Sequence, residues 1–154
     1  MRIYQIDSSG IVKRYVDEIG SRWIREICDP NTGNIISILR ITIVEVASAF
    51  SRRFREGTIT EEERDDLLAL FLNDCYEQYQ ICEVNRDIVD LAVQLVYRHP
   101  LRGYDAVQLA AAIYINYRLI SNDLLLLIFI SADERLCSAG ESENLLVDNP
   151  NLHD

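Results

Sequence analysis

Short apolar runs alternate with amphipathic stretches along the whole chain. The first run, Ile3, Tyr4 and Ile6, stops at Asp7, and Ser8 and Ser9 then open a helix. Ile11, Val12, Tyr15 and Val16 keep helical spacing, so residues 8–17 read as a helix that Gly20 breaks. Residues 21–28 form a second short helix, and residues 29–34 a turn rich in Asp, Pro, Asn and Gly. Residues 35–39 read as a buried strand. From Thr42 to about Glu56 the stripe Ile43, Val46, Ala47, Phe50 and Phe54 predicts a strong helix.

Gly57 ends that helix and Thr60 opens the next, with Leu67, Leu68, Phe71 and Leu72 inward. Residues 79–84 alternate as a strand, and Asn85 caps a helix to about Arg98. After the loop 99–103, an Ala-rich helix runs from Tyr104 to about Tyr117. Leu125–Ile130 reads as the most buried strand, followed by Asp133 and a helix to Ala139. Residues 145–147 form a brief last strand. Strands alternating with helices predict an α/β fold with a mainly parallel sheet. One domain spans residues 1–148, and 149–154 form a short loose tail.

Composition narrows the function. The 154 residues suit one domain with a full core. Met1-Arg2-Ile3 precedes no apolar leader, and the longest apolar run, Leu124–Ile130, is too short to span a bilayer, so the cytoplasm and no membrane are expected. Cys28, Cys75, Cys82 and Cys137 are scattered without zinc-like or disulfide-like spacing. A net charge of −10 excludes a protein that coats nucleic acid through a broad basic face. It leaves open an enzyme that grips one phosphodiester through a metal. Lys13 is the only lysine beside fourteen arginines, whose planar forks suit phosphate and carboxylate alike. Arg52, Arg53 and Arg55 cluster near a helix end, facing phosphate, an acidic partner or solvent.

Asp7 and Asp133 each end a buried strand and precede a helix, so a parallel sheet places them on one edge. Glu45 opens the helix after the second strand and comes to the same edge. Asp105 opens a helix that follows another helix, so element order alone does not place it. Each acid also has a capping alternative, Thr42 and Glu45 as a capping box included. Together they suit a divalent cation: carboxylates crowded within a few ångströms repel one another, and all-oxygen ligands select Mg²⁺ or Mn²⁺. Such an ion supports metal-assisted phosphodiester hydrolysis. No Ser–His–Asp or Cys–His set is evident.

Four segments then carry a resemblance: IDSSGIVKRY at 6–15, IVEVASA at 43–49, YDAVQLAAA at 104–112 and FISADERL at 129–136. In this order they resemble a PIN-domain ribonuclease, and most of all the VapC toxins of bacterial toxin–antitoxin pairs. The resemblance implies a three-layer α/β/α sandwich around a mainly parallel sheet and brings Asp105 into the pocket of Asp7, Glu45 and Asp133. It implies that Asp7 and Asp105 are the main metal ligands, Glu45 a ligand or water positioner, and Asp133 a direct or water-mediated ligand. Ser131 stands where the family often has a small hydroxyl residue. An RNA substrate, a homodimer and a cognate antitoxin are implied too. The alternatives are a PIN nuclease outside any toxin–antitoxin pair and an inert metal- or RNA-binding module. A signalling receiver domain needs paired acids after the first strand and a late Lys, and a haloacid-type phosphatase needs Asp-x-Asp there. Asp7-Ser8-Ser9 suits neither.

Overall fold

The structure is a computed structural model and describes residues 1–153. Five strands, β1 (Ile3–Ile6), β2 (Ile35–Leu39), β3 (Gln80–Cys82), β4 (Leu127–Ile130) and β5 (Leu146–Asp148), form one parallel sheet in the order β3-β2-β1-β4-β5. Helices α1 (Ser8–Ile11), α2 (Ser21–Ile27), α3 (Arg40–Arg55), α4 (Glu61–Glu77), α5 (Arg86–Arg98), α6 (Gly103–Ile120) and α7 (Glu134–Ser142) cover it. Side chains alternate across each strand, so the sheet has two apolar faces to bury. Tyr4, Ile6, Ile36 and Ile38 pack with Ile11, Ile24, Val46, Phe50 and Phe71 on one side. Ile3, Leu127 and Phe129 pack with Ile88, Leu95, Leu109 and Leu136 on the other. This is the three-layer α/β/α sandwich. Ala106, Ala110, Ala111 and Ala112 are fully buried, and their small side chains let α6 lie close to the sheet.

Three local readings change. The first helix stops at Ile11 and tightens into a 3-10 turn, Val12–Arg14. The tightening delivers Arg14 and Tyr15 to a polar cluster under α4, where Arg14 bonds Gln78 and Tyr79 and the Tyr15 hydroxyl bonds Asp74. The last buried run is shorter than its apolar sequence: β4 begins at Leu127, opposite Ile3, the first residue of β1. Leu125 and Leu126 have no strand to pair with there and stay about half exposed.

The C-terminal segment is not loose. Asn149 caps a 3-10 turn, Pro150–Leu152, and the His153 ring stacks on Trp23 of α2 at 3.9 Å. Gly20, with φ +82°, leaves room for this segment, because a Cβ there would sit 2.0 Å from the Pro150 carbonyl oxygen. Asp154, the last residue of the expected tail, lies outside the described residues. Among the described residues no helix is long and apolar enough to cross a membrane.

Candidate active site

The strand order sets the location. From β1 the chain builds outward through β2 and β3, then crosses to the other side of β1 for β4 and β5. The order therefore reverses between β1 and β4, and a crevice opens at their carboxyl ends. Ile6 pairs with Ile130, and the Asp7 amide continues the ladder by donating to the Ile130 carbonyl at 3.0 Å. Asp7 and Ser131 are thus neighbours on adjacent strand ends, far apart in sequence.

Asp7 is buried, with 4% of its surface exposed. Its Oδ1 accepts from the Gly10 amide at 2.8 Å and the Ser9 hydroxyl at 2.7 Å. Its Oδ2 accepts from the Ser131 hydroxyl at 2.6 Å. The serines are themselves fixed, because Ala132 N–H donates to Ser9 Oγ and Asp133 N–H to Ser131 Oγ. Burial raises the carboxyl to about 6, against the pull of these three donors, and the Glu45 charge adds to the rise. Asp7 does cap α1, as the capping alternative expected.

Glu45 does not cap. Helix α3 begins at Arg40, behind Leu39, with no side-chain cap, so Thr42 and Glu45 lie inside the helix and form no capping box. Glu45 Oε2 instead accepts from the Ser8 hydroxyl at 3.0 Å, and Oε1 from Gln108 Nε2 at 3.1 Å. Gln108 Nε2 also donates to the buried Thr42 hydroxyl at 2.8 Å. Asp105 is the third residue of α6 and makes no capping bond. Burial raises its carboxyl, and the charge of Asp133 raises it further. Asp133 caps α7 through Oδ1, which accepts from the Arg135 and Leu136 amides.

Glu45, Asp105 and Asp133 line one open cleft of about 620 Å³, with Arg102 and Arg135 on its rim. The charge of Glu45 acts on Asp7 and that of Asp133 on Asp105, but Asp7, buried at the end of β1, is not among the residues that line this cleft. Among the described residues no three Asp, Glu, His or Cys side chains stand as a ready metal cluster. The thiol of Cys137 donates to the Ser131 carbonyl, and burial with nearby acids pushes it up to about 12, which rules out a ready thiolate. His99 bonds Glu143 and His153 bonds Asp148, and neither histidine lines this cleft.

Comparison with protein families matches residues 4–139 to the PIN domain. The chain belongs to the PIN domain family. A search of curated protein sequences finds no match. Solved structures share the fold at low identity. PAE2754 from Pyrobaculum aerophilum is 17% identical with a TM-score of 0.63, over 98% of this chain and 85% of that one. A toxin–antitoxin complex from Klebsiella pneumoniae is 18% identical with a TM-score of 0.57, over 96% and 97%. VapC20 from Mycobacterium tuberculosis, a sarcin–ricin-loop-cleaving toxin, is 13% identical with a TM-score of 0.60, over 89% and 95%.

Sequence reading of this PIN domain missed the residues that hold the acids. Ser8 and Ser9 read only as helix openers, and Gln108 passed as part of an Ala-rich helix. The signal for Gln108 was a lone amide inside an otherwise apolar run, Ala106–Ile113, where each polar atom needs a partner.

Proposed function

We propose that this PIN domain is a metal-dependent endoribonuclease and the toxin of a toxin–antitoxin pair. One observation carries the reading. Asp7 is a buried carboxylate with no cationic partner among the described residues, beside a second acid and next to a cleft walled by two more. Such a group is costly to ionise unless a cation joins it. The donor set fits Mg²⁺ or Mn²⁺, since three carboxylates, Glu45, Asp105 and Asp133, and no thiolate or imidazole line the cleft, with the Asp7 carboxylate buried beside Glu45. Asp7 and Asp105 hold the ion in this reading, with Glu45 and Asp133 as further ligands or water positioners. When bound, the ion supplies charge for the phosphate oxygens and a more acidic water.

The chain's own residues do the positioning. Ser131, Ser9 and Gly10 fix both oxygens of Asp7. Ser8 and Gln108 hold the Glu45 carboxylate at the crevice, placed to orient a water and take its proton. Asp133 spends Oδ1 on the α7 cap, which leaves Oδ2 for a bound water or ion.

The sarcin–ricin-loop-cleaving neighbour and the toxin–antitoxin neighbour support the RNA substrate and the antitoxin partner. The reading places one domain over residues 1–148 in the cytoplasm, where such a substrate is found. It also carries the homodimer, which we assign to the outer row of α5, Val89, Val93, Val96 and Tyr97, apolar side chains left exposed. Calorimetric titration with Mn²⁺ tests the metal site. Binding to the wild-type chain that is lost in both Asp7→Asn and Asp105→Asn is the expected result. Equal binding by a folded Asp7→Asn chain contradicts it.

A further inference from the structure

The arginines divide into two groups. Eight of the fourteen make ion pairs, Arg14 with Asp74 and Arg98 with Glu143 among them. Arg2, Arg52, Arg55, Arg102, Arg118 and Arg135 make no ion pair within 4.0 Å among the described residues, though the Arg102 charge reaches Asp105. Three of these six border the crevice: Arg102 and Arg135 on the acidic cleft, and Arg52 on a second one.

The second cleft has a volume of about 530 Å³ and runs along α3 from Glu45 past Ser48 and Ala49 to Arg52. Glu45 and Tyr104 line both clefts, so the two are continuous, with Tyr104 on the divide. Tyr104 is 63% exposed, and its hydroxyl and ring have no hydrogen-bond, aromatic or cation–π partner among the described residues. An open aromatic face beside a free guanidinium is the combination that holds single-stranded nucleic acid: a base stacks on the ring and a phosphate meets the fork. On a chain of net charge −10, the few unpaired cations decide where a polyanion lies.

We propose that the cleft along α3 is a nucleotide-binding subsite for the single strand next to the cut. Tyr104 is its stacking platform and Arg52 its phosphate contact, while Arg102 and Arg135 receive the strand on the other side of the acids. The proposal rests on the ribonuclease reading and adds the strand's path to it.

The test is fluorescence anisotropy with a labelled single-stranded oligoribonucleotide of mixed sequence, about ten nucleotides long. Ca²⁺ replaces Mg²⁺ to keep the strand intact. Tyr104→Ala is expected to weaken binding by about five- to a hundredfold, and Tyr104→Phe, which keeps the ring, by less than about twofold. Arg52→Ala is expected to weaken binding and to lower the salt slope by about 0.7. Arg2→Ala, at the opposite end of β1, is expected to change nothing.

Unchanged affinity in Tyr104→Ala and Arg52→Ala overturns the subsite, as does an equal loss in Arg2→Ala. A cleft that serves a polypeptide partner gives that first pattern. Metal-dependent cleavage of total RNA by the same proteins separates the two readings. Cleavage with unchanged affinity in the variants leaves the nuclease standing without the subsite. Variant-sensitive binding without cleavage leaves the subsite without the nuclease. Neither binding nor cleavage by the wild-type chain removes both.

Discussion

Three donors converge on Asp7, yet burial still holds its carboxyl near 6, against an ordinary value of 3.8. Between these values the folded chain keeps a proton that the unfolded chain has released. Stability from this group therefore falls as pH rises through that window, by at most about 3 kcal/mol, and stays low above it. Asp7→Asn removes that cost. In EDTA, its melting temperature should equal or exceed the wild type's at about pH 7.5, and the difference should shrink toward pH 4. A variant less stable than the wild type at the higher pH contradicts this. Ser131 is the donor on Asp7 Oδ2, so Ser131→Ala should cost about ten- to a hundredfold in Mn²⁺ affinity, with Ser131→Thr restoring most of it. Equal affinity in Ser131→Ala shows that the hydroxyl does not orient the ligand.

At the scale of elements, the hydrophobic periods marked every strand and long helix, because each buries one definable face. What they missed has a physical cause in each case. The apolar run 124–130 looks uniformly buried, but a strand extends only where a partner exists, and β1 begins opposite Leu127. Thr42 and Glu45 fit a capping box, but the helix starts two residues earlier, at Arg40, which turns both toward α6. Asp7 and Asp133 were readable because a strand ends at each. Asp105 was not, since its place depends on how the α5–α6 hairpin folds back over the sheet; only the resemblance placed it.

Gln5 is a further polar residue at a buried strand position. It is fully buried, and neither amide atom finds a partner among the described residues. Gln5→Met keeps its length and removes the unmet amide. It should raise stability by about 1–2 kcal/mol in denaturant unfolding and leave RNA cleavage unchanged. A loss of stability shows instead that the amide is hydrogen-bonded in solution.

For the whole molecule, the three layers followed from alternating strands and helices, while the sheet order and its reversal between β1 and β4 did not. That reversal makes the crevice, with Asp7 at the end of β1 and Glu45, Asp105 and Asp133 lining the cleft. Helix α5 buries Ile88, Ala92 and Leu95 and still exposes Val93 and Tyr97, so it has apolar residues on two sides. Covering the outer side with a second copy predicts a light-scattering mass of twice 17.7 kDa, reduced to one chain by Val93→Asp. A monomeric wild type, or a Val93→Asp dimer, removes the assignment to α5.

RNA cleavage by the purified protein decides whether the acids around Asp7 hold a divalent ion that cuts RNA. Wild type, Asp7→Asn and Asp105→Asn are each given total RNA with Mg²⁺, Mn²⁺ or EDTA. Discrete cleavage is expected from the wild type with metal, with none in EDTA and none from either folded variant. Cleavage that persists in EDTA, or in a folded Asp7→Asn chain, contradicts that expectation.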